Sequence, residues 1–321
     1  MKKIITLIVL ITISTNLLAC DICGCGAGGS FLGIIPQFGR TQFGIRSSFR
    51  TFDHPNTILN VNGNSIVQRD ENFQTDFTLR LFKKNRIQYF FQAPYKINTR
   101  YESLRTTTLL GIGDIQVGAT YTLIQQQDSS AIRFKNLLAM GGGFTLPTGK
   151  YMQRDETKVI MPALFQLGSG AFQYNANLYY SLRYKRWGAM VNAQYVYAEQ
   201  NEMKYQFGQR YQSSLALFYR KDFSWKVQPK KDEPVYLEKN KTLSVIPSIG
   251  WSTEHSEKDL EYGVVKPYTG GTQYLVQGAL DVYYQKFAFN IFFQQSYFND
   301  IPIAQPENKV RVGAGLTWVI G

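Results

Sequence analysis

Three cysteines, Cys20, Cys23 and Cys25, form the densest group of chemically reactive side chains in the sequence, and a glycine-rich segment follows them. Two or three thiolates this close together suit a soft ion such as Cu(I) or Zn(II). An odd number of cysteines is unusual for a disulfide framework, and a bond between Cys23 and Cys25 would be strained. Three interpretations remain: copper or zinc binding by all three cysteines, thiol redox chemistry, or a lipidated tether with two incidental thiols.

The residues before Cys20 form an export signal, so residues 1–19 are predicted to be a signal peptide. Lys2 and Lys3 supply its positive start, and a short apolar run follows. That run is too short for a good transmembrane helix, and no later run approaches about 20 apolar residues, which excludes a helical membrane protein. The signal ends in a segment that resembles a lipobox, which implies lipidation of Cys20. Ordinary signal-peptidase cleavage, leaving the thiol of Cys20 free, is the alternative.

A second set of candidate residues consists of charged side chains that alternate with apolar ones along extended segments. Arginines outnumber acids in this set, and a charged lining tunes the selectivity of a pore. We therefore expect a lumen that favours anionic or polar solutes; the alternative is a mutually paired network that fills a narrow barrel. The candidate lumen residues are Arg46, Arg50, Asp76, Arg80, Asp114, Arg133, Arg183, Arg210, Asp281 and Arg311.

The sequence argues against catalysis and against nucleic-acid binding. Both histidines, His54 and His255, fall in expected loops, and neither lies in a recognisable catalytic motif, so we predict that the protein is not an enzyme. The formal charge is +12, yet the basic residues are spread along the chain without a polybasic block. Together with export, this spread predicts a solvated face or lumen and no nucleic-acid partner.

The last eleven residues before Gly321 show how such side chains are positioned. Successive side chains of a strand point to opposite faces, so Arg311 and Gly313 lie opposite Leu316 and Trp318. One face would suit lipid, and the other is small or polar. The stretch resembles the C-terminal signal strand of bacterial outer-membrane β-barrels, which implies recognition by the barrel-assembly machinery. A usual signal ends on its aromatic residue, whereas three residues follow Trp318 here.

The same two-sided pattern recurs along residues 41–321 and predicts an all-β, antiparallel transmembrane β-barrel of about 12 strands. Residues 20–40 are predicted to be a separate Cys/Gly-rich segment, either a linker or a plug. The short turns are expected at 83–86, 125–130, 185–186 and 285–286, and the long connections at 53–71, 98–108, 148–167 and 254–270. Segment 221–241 departs from this pattern, because it is long where a short periplasmic turn is expected. It is either a periplasmic excursion or a miscounted strand.

The composition of the two faces favours a membrane barrel over a soluble sandwich. The residues opposite the apolar face are mostly Gln, Asn, Ser, Thr and Gly with some Arg, which suits a wet lumen. The aromatic fraction is 15%, and aromatic residues recur near strand ends, as membrane girdles require. Because backbone groups in lipid must be paired, the sheet has to close on itself. We expect a barrel in the outer membrane of a Gram-negative bacterium, in contact with its lipid, with a periplasmic N-terminus.

Three short motifs carry a family resemblance: GIGDIQVGATY at 111–121, GGFTLPTGK at 142–150 and LGSG at 167–170. They resemble segments of a broad family of porin-like outer-membrane barrels regarded as transporters, including proteins linked to meta-pathway phenol degradation. The resemblance implies a channel or transporter for small solutes; the cysteine-rich start is not expected of most members. The motifs also have a purely structural interpretation, since glycines permit close approach and Pro147-Thr148-Gly149 starts a loop.

Overall fold

The computed structural model describes residues 40–54, 68–83, 86–102, 105–125, 134–227, 239–302 and 307–320. The predicted signal peptide, the three cysteines and Arg133 lie outside the described residues.

Within these ranges, twelve antiparallel strands form one closed sheet, which confirms the predicted all-β barrel. Each strand pairs with the next along the chain, and β12 pairs with β1 from Thr41↔Ile320 onward, so the sheet has no free edge. The strands are β1 (Thr41–Asp53), β2 (Arg69–Lys83), β3 (Ile87–Tyr101), β4 in two segments (Thr106–Ile112 and Ile115–Gln125), β5 (Phe134–Leu146), β6 (Gln173–Tyr184), β7 (Trp187–Ala198), β8 in two segments (Arg210–Tyr219 and Lys221–Val227), β9 (Lys239–Ser256), β10 (Gly271–Tyr284), β11 (Phe287–Asp300) and β12 (Glu307–Ile320).

The alternation along each strand places polar side chains inside and apolar side chains outside. In β1, Arg46 and Arg50 are buried, whereas Phe43 and Ile45 are exposed on the outer surface. A soluble protein buries its apolar face, so this inverted arrangement requires an apolar medium around the barrel. Aromatic side chains gather near both ends of the outer surface, where Trp187 packs on Tyr219 at 4.9 Å.

The two ends of the barrel differ in their connections. The end that carries Thr41 and Ile320, here called the terminal end, has two-residue turns after β6 and β10, in which Lys185 and Gln285 adopt φ of 53°. The opposite, loop end carries longer connections such as 147–172. The prediction of a long connection at 98–108 is wrong, because β3 and β4 stay paired as far as Tyr101↔Thr106.

Segment 221–241 continues the sheet beyond its neighbours. The second segment of β8 pairs with β9 from Lys221↔Val245 to Val227↔Lys239. The unexpected length of this segment is therefore explained by a hairpin of β8 and β9 that extends beyond the other strands at the terminal end. The predicted number of strands is correct. Among the described residues, no helix is long and apolar enough to cross a membrane.

The interior of the terminal half of the barrel is partly apolar. The sequence had predicted a lumen lined by polar side chains throughout. Phe218 and Ile246 are buried against Met190 and Tyr283, and Tyr179 packs on Ala139 beside them. These side chains come from β5 to β10. Most of the buried charged side chains lie instead on β1, β2, β3 and β12, and at the loop end.

Candidate functional site

A cluster of arginines lies on the inner wall formed by β12, β1 and β2. Antiparallel register sets Arg46 opposite Asp76 and Arg50 opposite Arg311. Arg46 Nη2 lies 3.6 Å from Asp76 Oδ2, and both side chains are buried. We call Arg46, Arg50, Arg80, Arg311, Asp76 and Glu254 the arginine cluster.

Arg311 makes the tightest ion pair of this cluster, and it does so across the interior. Its Nη1 and Nη2 donate to the carboxylate of Glu254 at 2.9 and 3.2 Å, and Nη1 also lies 3.0 Å from Gln294 Oε1. Glu254 belongs to β9, so the pair passes over the two strands between β9 and β12. Two-point contact of this kind fixes the guanidinium plane.

Arg50 differs from the other arginines of the cluster. It is only 7% exposed, yet it makes no hydrogen bond or ion pair with any described residue. The charges that act on it are Arg311 and Arg46, which repel it, and Glu254 and Asp76, which attract it. Four guanidinium groups thus face two carboxylates, and Arg50 is the one with no hydrogen bond or ion pair to a described residue.

The loop between β5 and β6, residues 147–172, folds into the mouth of the barrel and forms a roof over the lumen. Lys96 Nζ and Asn98 Nδ2, both on the inner face of β3, donate to the carbonyl oxygens of Leu167 and Phe165 at 3.0 and 2.9 Å. The guanidinium of Arg100 lies 4.8 Å from the centre of the Phe165 ring. Leu109, on the inner face of β4, packs with the roof's Phe165 and Leu167 in one buried apolar cluster.

Hydrogen bonds to the carboxylate of Asp114 hold this roof in place, and we call this group of contacts the clasp. The carboxylate of Asp114 accepts hydrogen bonds from Gly149 N at 2.9 Å, and from the backbone N and the hydroxyl of Ser169 at 2.7 Å each. The Thr148 hydroxyl ties the loop to the break in β4, accepting from Ile115 N and donating to Gly113 O. The three motifs of the sequence meet here, and their structural interpretation accounts for these contacts.

Neighbouring loops brace the roof. Asp155 accepts from the Thr157 hydroxyl at 2.7 Å and pairs with Arg105 at 2.6 Å, and these contacts hold the pKa of Asp155 below its ordinary value. Asn201 Nδ2 donates to Ser169 O at 3.1 Å. In the loop after β9, Asp259 accepts from Gly208 N at 2.6 Å, and burial raises its pKa.

Under the roof lies a partly open cavity of about 50 Å³, which we call the amide-lined cavity. Five glutamines from five different strands contribute to its wall. Gln92, Gln116 and Gln194 have no side-chain hydrogen-bond partner among the described residues, although Gln92 and Gln194 are only 7% and 6% exposed. The lining residues are Gln74, Gln92, Pro94, Lys96, Asp114, Gln116, Thr145, Gln173, Gln194, Val196 and Arg210.

The remaining candidate lumen residues are dispersed. Arg210 lines the cavity and donates to Gln173 Oε1. Asp281 is buried in the terminal half and accepts from Asn290 Nδ2 at 2.8 Å. Arg183 lies on the inner face of β6, opposite Lys135. The structure therefore brings Arg46, Arg50, Asp76, Arg80 and Arg311 together, and places Asp114 and Arg210 at the cavity.

Four charged groups of the interior were missing from the sequence-based set: Asp70, Lys96, Arg100 and Glu254. Glu254 shares its face of β9 with Ser252, so two-residue alternation continued into the expected connection 254–270 would have found it. Asp70 and Arg100 form a buried ion pair at 2.7 Å, but both fell within segments expected to be connections.

The histidines have structural partners. His54 Nε2 lies 2.9 Å from Asp70 Oδ2, and His255 Nδ1 lies 3.0 Å from Thr272 Oγ1. Among the described residues, no group of three or more His, Cys, Asp or Glu is placed to hold a metal ion. The predicted copper or zinc ligands Cys20, Cys23 and Cys25 lie outside that part of the chain.

The closed sheet and its apolar exterior define the class: a transmembrane β-barrel of the outer-membrane type. Among solved structures, the COG4313 outer membrane channel from Pseudomonas putida F1 shares this fold, with a TM-score of 0.58 and 12% identity over 90% of this chain and 100% of that chain. The NanC porin aligns with a TM-score of 0.42 and 10% identity, over 87% of this chain and 100% of its own. No family model and no curated protein matches the sequence.

Proposed function

We propose that the protein is a porin-like channel of the Gram-negative outer membrane for small solutes, with a lumen that favours anionic or polar ones. The apolar exterior and the closed sheet support the membrane location, and the resemblance to barrels regarded as transporters supports the role. In this proposal both termini lie in the periplasm, the C-terminal strand is recognised by the barrel-assembly machinery, and the roof faces outward. The resemblance to barrels linked to phenol degradation does not identify the solute.

The buried, unpaired guanidinium of Arg50 is the observation that carries the anion preference. A fixed charge within low-dielectric walls raises the local concentration of the opposite charge, and charged linings select ions in this way. The other three arginines of the cluster already contact protein groups: Arg46 contacts Asp76, Arg80 donates to Gln88, and Arg311 pairs with Glu254. A passing anion would therefore meet Arg50 as its direct partner.

Ion selectivity in planar lipid bilayers tests this proposal. Under a potassium chloride gradient, we expect Arg50→Gln to shift the reversal potential toward cation selectivity, because it removes the unpaired positive charge. Arg69→Gln is the matched control, since Arg69 is half exposed and pairs with Glu71 outside the cluster. The proposal is wrong if Arg50→Gln, Arg80→Gln and Arg183→Gln all leave the selectivity of the parent channel unchanged.

Metal binding remains the alternative function, and the spacing of Cys20, Cys23 and Cys25 supports it. In that case the barrel would anchor a copper or zinc site, with or without a lipid on Cys20. Metal content of the purified protein, compared with a Cys23→Ser/Cys25→Ser variant, tests this alternative. Equal metal content in both would exclude it.

A further inference from the structure

We propose that the amide-lined cavity binds a neutral, polyhydroxylated solute. The inference rests on the proposed channel function, because the cavity belongs to the same lumen. It adds a binding site and a class of ligand that differ from the anion preference assigned to Arg50.

The charged groups of the cavity are already engaged by the protein. Lys96 Nζ donates to Leu167 O, and the carboxylate of Asp114 accepts three hydrogen bonds from Gly149 and Ser169. Arg210 donates to the amide oxygen of Gln173. An ionic ligand would compete with these contacts, including those that hold the roof.

The groups left for a ligand are carboxamides. Gln92 on β3, Gln116 on β4 and Gln194 on β7 approach the cavity from different parts of the wall and have no partner among the described residues. Asn175, next to this wall on β6, has both amide atoms buried without a partner. Buried polar groups are normally hydrogen-bonded, so these amides can each take a hydrogen-bonding partner from a ligand in the cavity.

A hydroxyl group is the best complement to these amides. Each carboxamide offers a donating NH₂ and an accepting oxygen, and a hydroxyl can both donate and accept. A carboxylate only accepts, so it would leave the amide oxygens unpaired, and an apolar ligand would satisfy neither side. Pro94 and Val196 add apolar surface for the C–H groups of a sugar ring.

Calorimetric titration of the purified full-length barrel with glucose tests the proposal. The protein is held in an amine-oxide detergent, because a detergent with a sugar headgroup would compete for the cavity. We expect glucose to bind, and to bind more tightly than glucuronate, which has the same ring but carries a carboxylate. In Gln92→Met/Gln194→Met, which retains side-chain size, glucose affinity should fall by about tenfold or more, or about 1.4 kcal/mol.

Gln273→Met is the matched control, because Gln273 is an equally buried glutamine on β10 outside the cavity. It should bind glucose with an affinity within about twofold of the parent. Retention of the heat-modifiable gel mobility of a folded barrel shows that each variant is intact. Absence of glucose binding to the parent protein, tighter binding of glucuronate, or an unchanged affinity in the double variant would each overturn the proposal.

The two proposals fail separately. If glucose binds as expected but Arg50→Gln leaves ion selectivity unchanged, the anion preference is wrong and the cavity assignment stands. If selectivity shifts but glucose does not bind, the channel proposal stands and the cavity assignment is wrong.

Discussion

The arginine cluster and the amide-lined cavity are two polar regions of the same barrel interior. They differ in which of their polar side chains form ion pairs or hydrogen bonds within the protein. In the cluster, Arg46 and Arg311 contact acids of the same barrel, and Arg50 has no direct partner among the described residues. In the cavity, the charged groups contact the protein, and the amides of Gln92 and Gln194 have no hydrogen-bond partner in the part of the chain that the structure describes. An unpaired buried charge costs several kcal/mol, whereas an unpaired amide costs about 1–3 kcal/mol. A barrel can therefore keep several amides free for a solute more readily than several charges.

The largest expected effect comes from breaking the ion pair that spans the cluster. Glu254→Gln leaves the guanidinium of Arg311 buried without a counter-charge, because the two side chains are only 7% and 5% exposed. We expect the free energy of unfolding to fall by about 3–5 kcal/mol. Urea unfolding of the detergent-solubilised or bilayer-reconstituted barrel measures this loss.

Glu261→Gln is the control for that change. Glu261 pairs with Lys266 at 2.6 Å, but both side chains are well exposed, at 45% and 37%. Its loss should cost less than about 1 kcal/mol. Equal losses in the two variants would show that the cluster is hydrated well enough for its pairing to have little energetic importance.

A smaller effect is expected from opening the roof of the cavity. A Cβ at Gly168 would lie 2.4 Å from Gly149 O and 2.6 Å from Asp114 Oδ1, so Gly168→Ala forces the clasp apart. Such overpacking costs about 1–3 kcal/mol. We expect trypsin to cleave the roof at Lys150, Arg154 or Lys158, and single-channel conductance to rise.

Gly278→Ala is the matched control for the roof, because an added Cβ there meets only Ser248 O, at 3.9 Å. It should leave both trypsin resistance and conductance unchanged. If Gly168→Ala behaved in the same way, the clasp around Asp114 would not be what holds the loop in the mouth.

The smallest effect concerns the contacts of Asp155 with Arg105 and Thr157, which attach the roof to the neighbouring loop. We expect a change in the pH at which this attachment is lost. The hydrogen bond from Thr157 and the ion pair with Arg105 hold the pKa of Asp155 below its ordinary value. This attachment is therefore complete above the ordinary aspartate pKa of about 3.9 and is lost as pH falls through the lower folded-state value. Thr157→Ala removes the largest cause of the shift, so the loss should begin at a higher pH.

Pepsin cleavage of the roof as a function of acid pH measures that change. Glu156→Gln is the control, because it removes a neighbouring, exposed carboxylate that has no hydrogen bond to the described residues. An identical pH dependence in Thr157→Ala and the parent protein would contradict the role given to Asp155.

The strands and the direction of their side chains were accessible from sequence, because alternation is a local property. The number of strands was predicted correctly, and Arg46, Asp76 and Arg311 are buried in the structure. The long connection at 98–108 was wrong because its polar residues, including Arg100, are wall residues near the mouth. Polar composition alone does not distinguish such a strand end from a loop.

The site was less accessible, because it depends on contacts between distant segments. Asp114 was predicted as a lumen charge, but its carboxylate holds Gly149 and Ser169, which are 35 and 55 residues away in the chain. The glutamines of the cavity were recognised as inward residues, and nothing in their local patterns indicated that five of them meet under one roof.

The sequence by itself determined that the chain forms strands with one apolar face and one polar face, because the pleat of a strand fixes the direction of each side chain. Only the tertiary structure decided which wet residues meet, because the closing register and the inward fold of residues 147–172 select partners from across the interior. These long-range choices paired Arg311 with Glu254, and they left Arg50, Gln92 and Gln194 without a side-chain partner among the described residues.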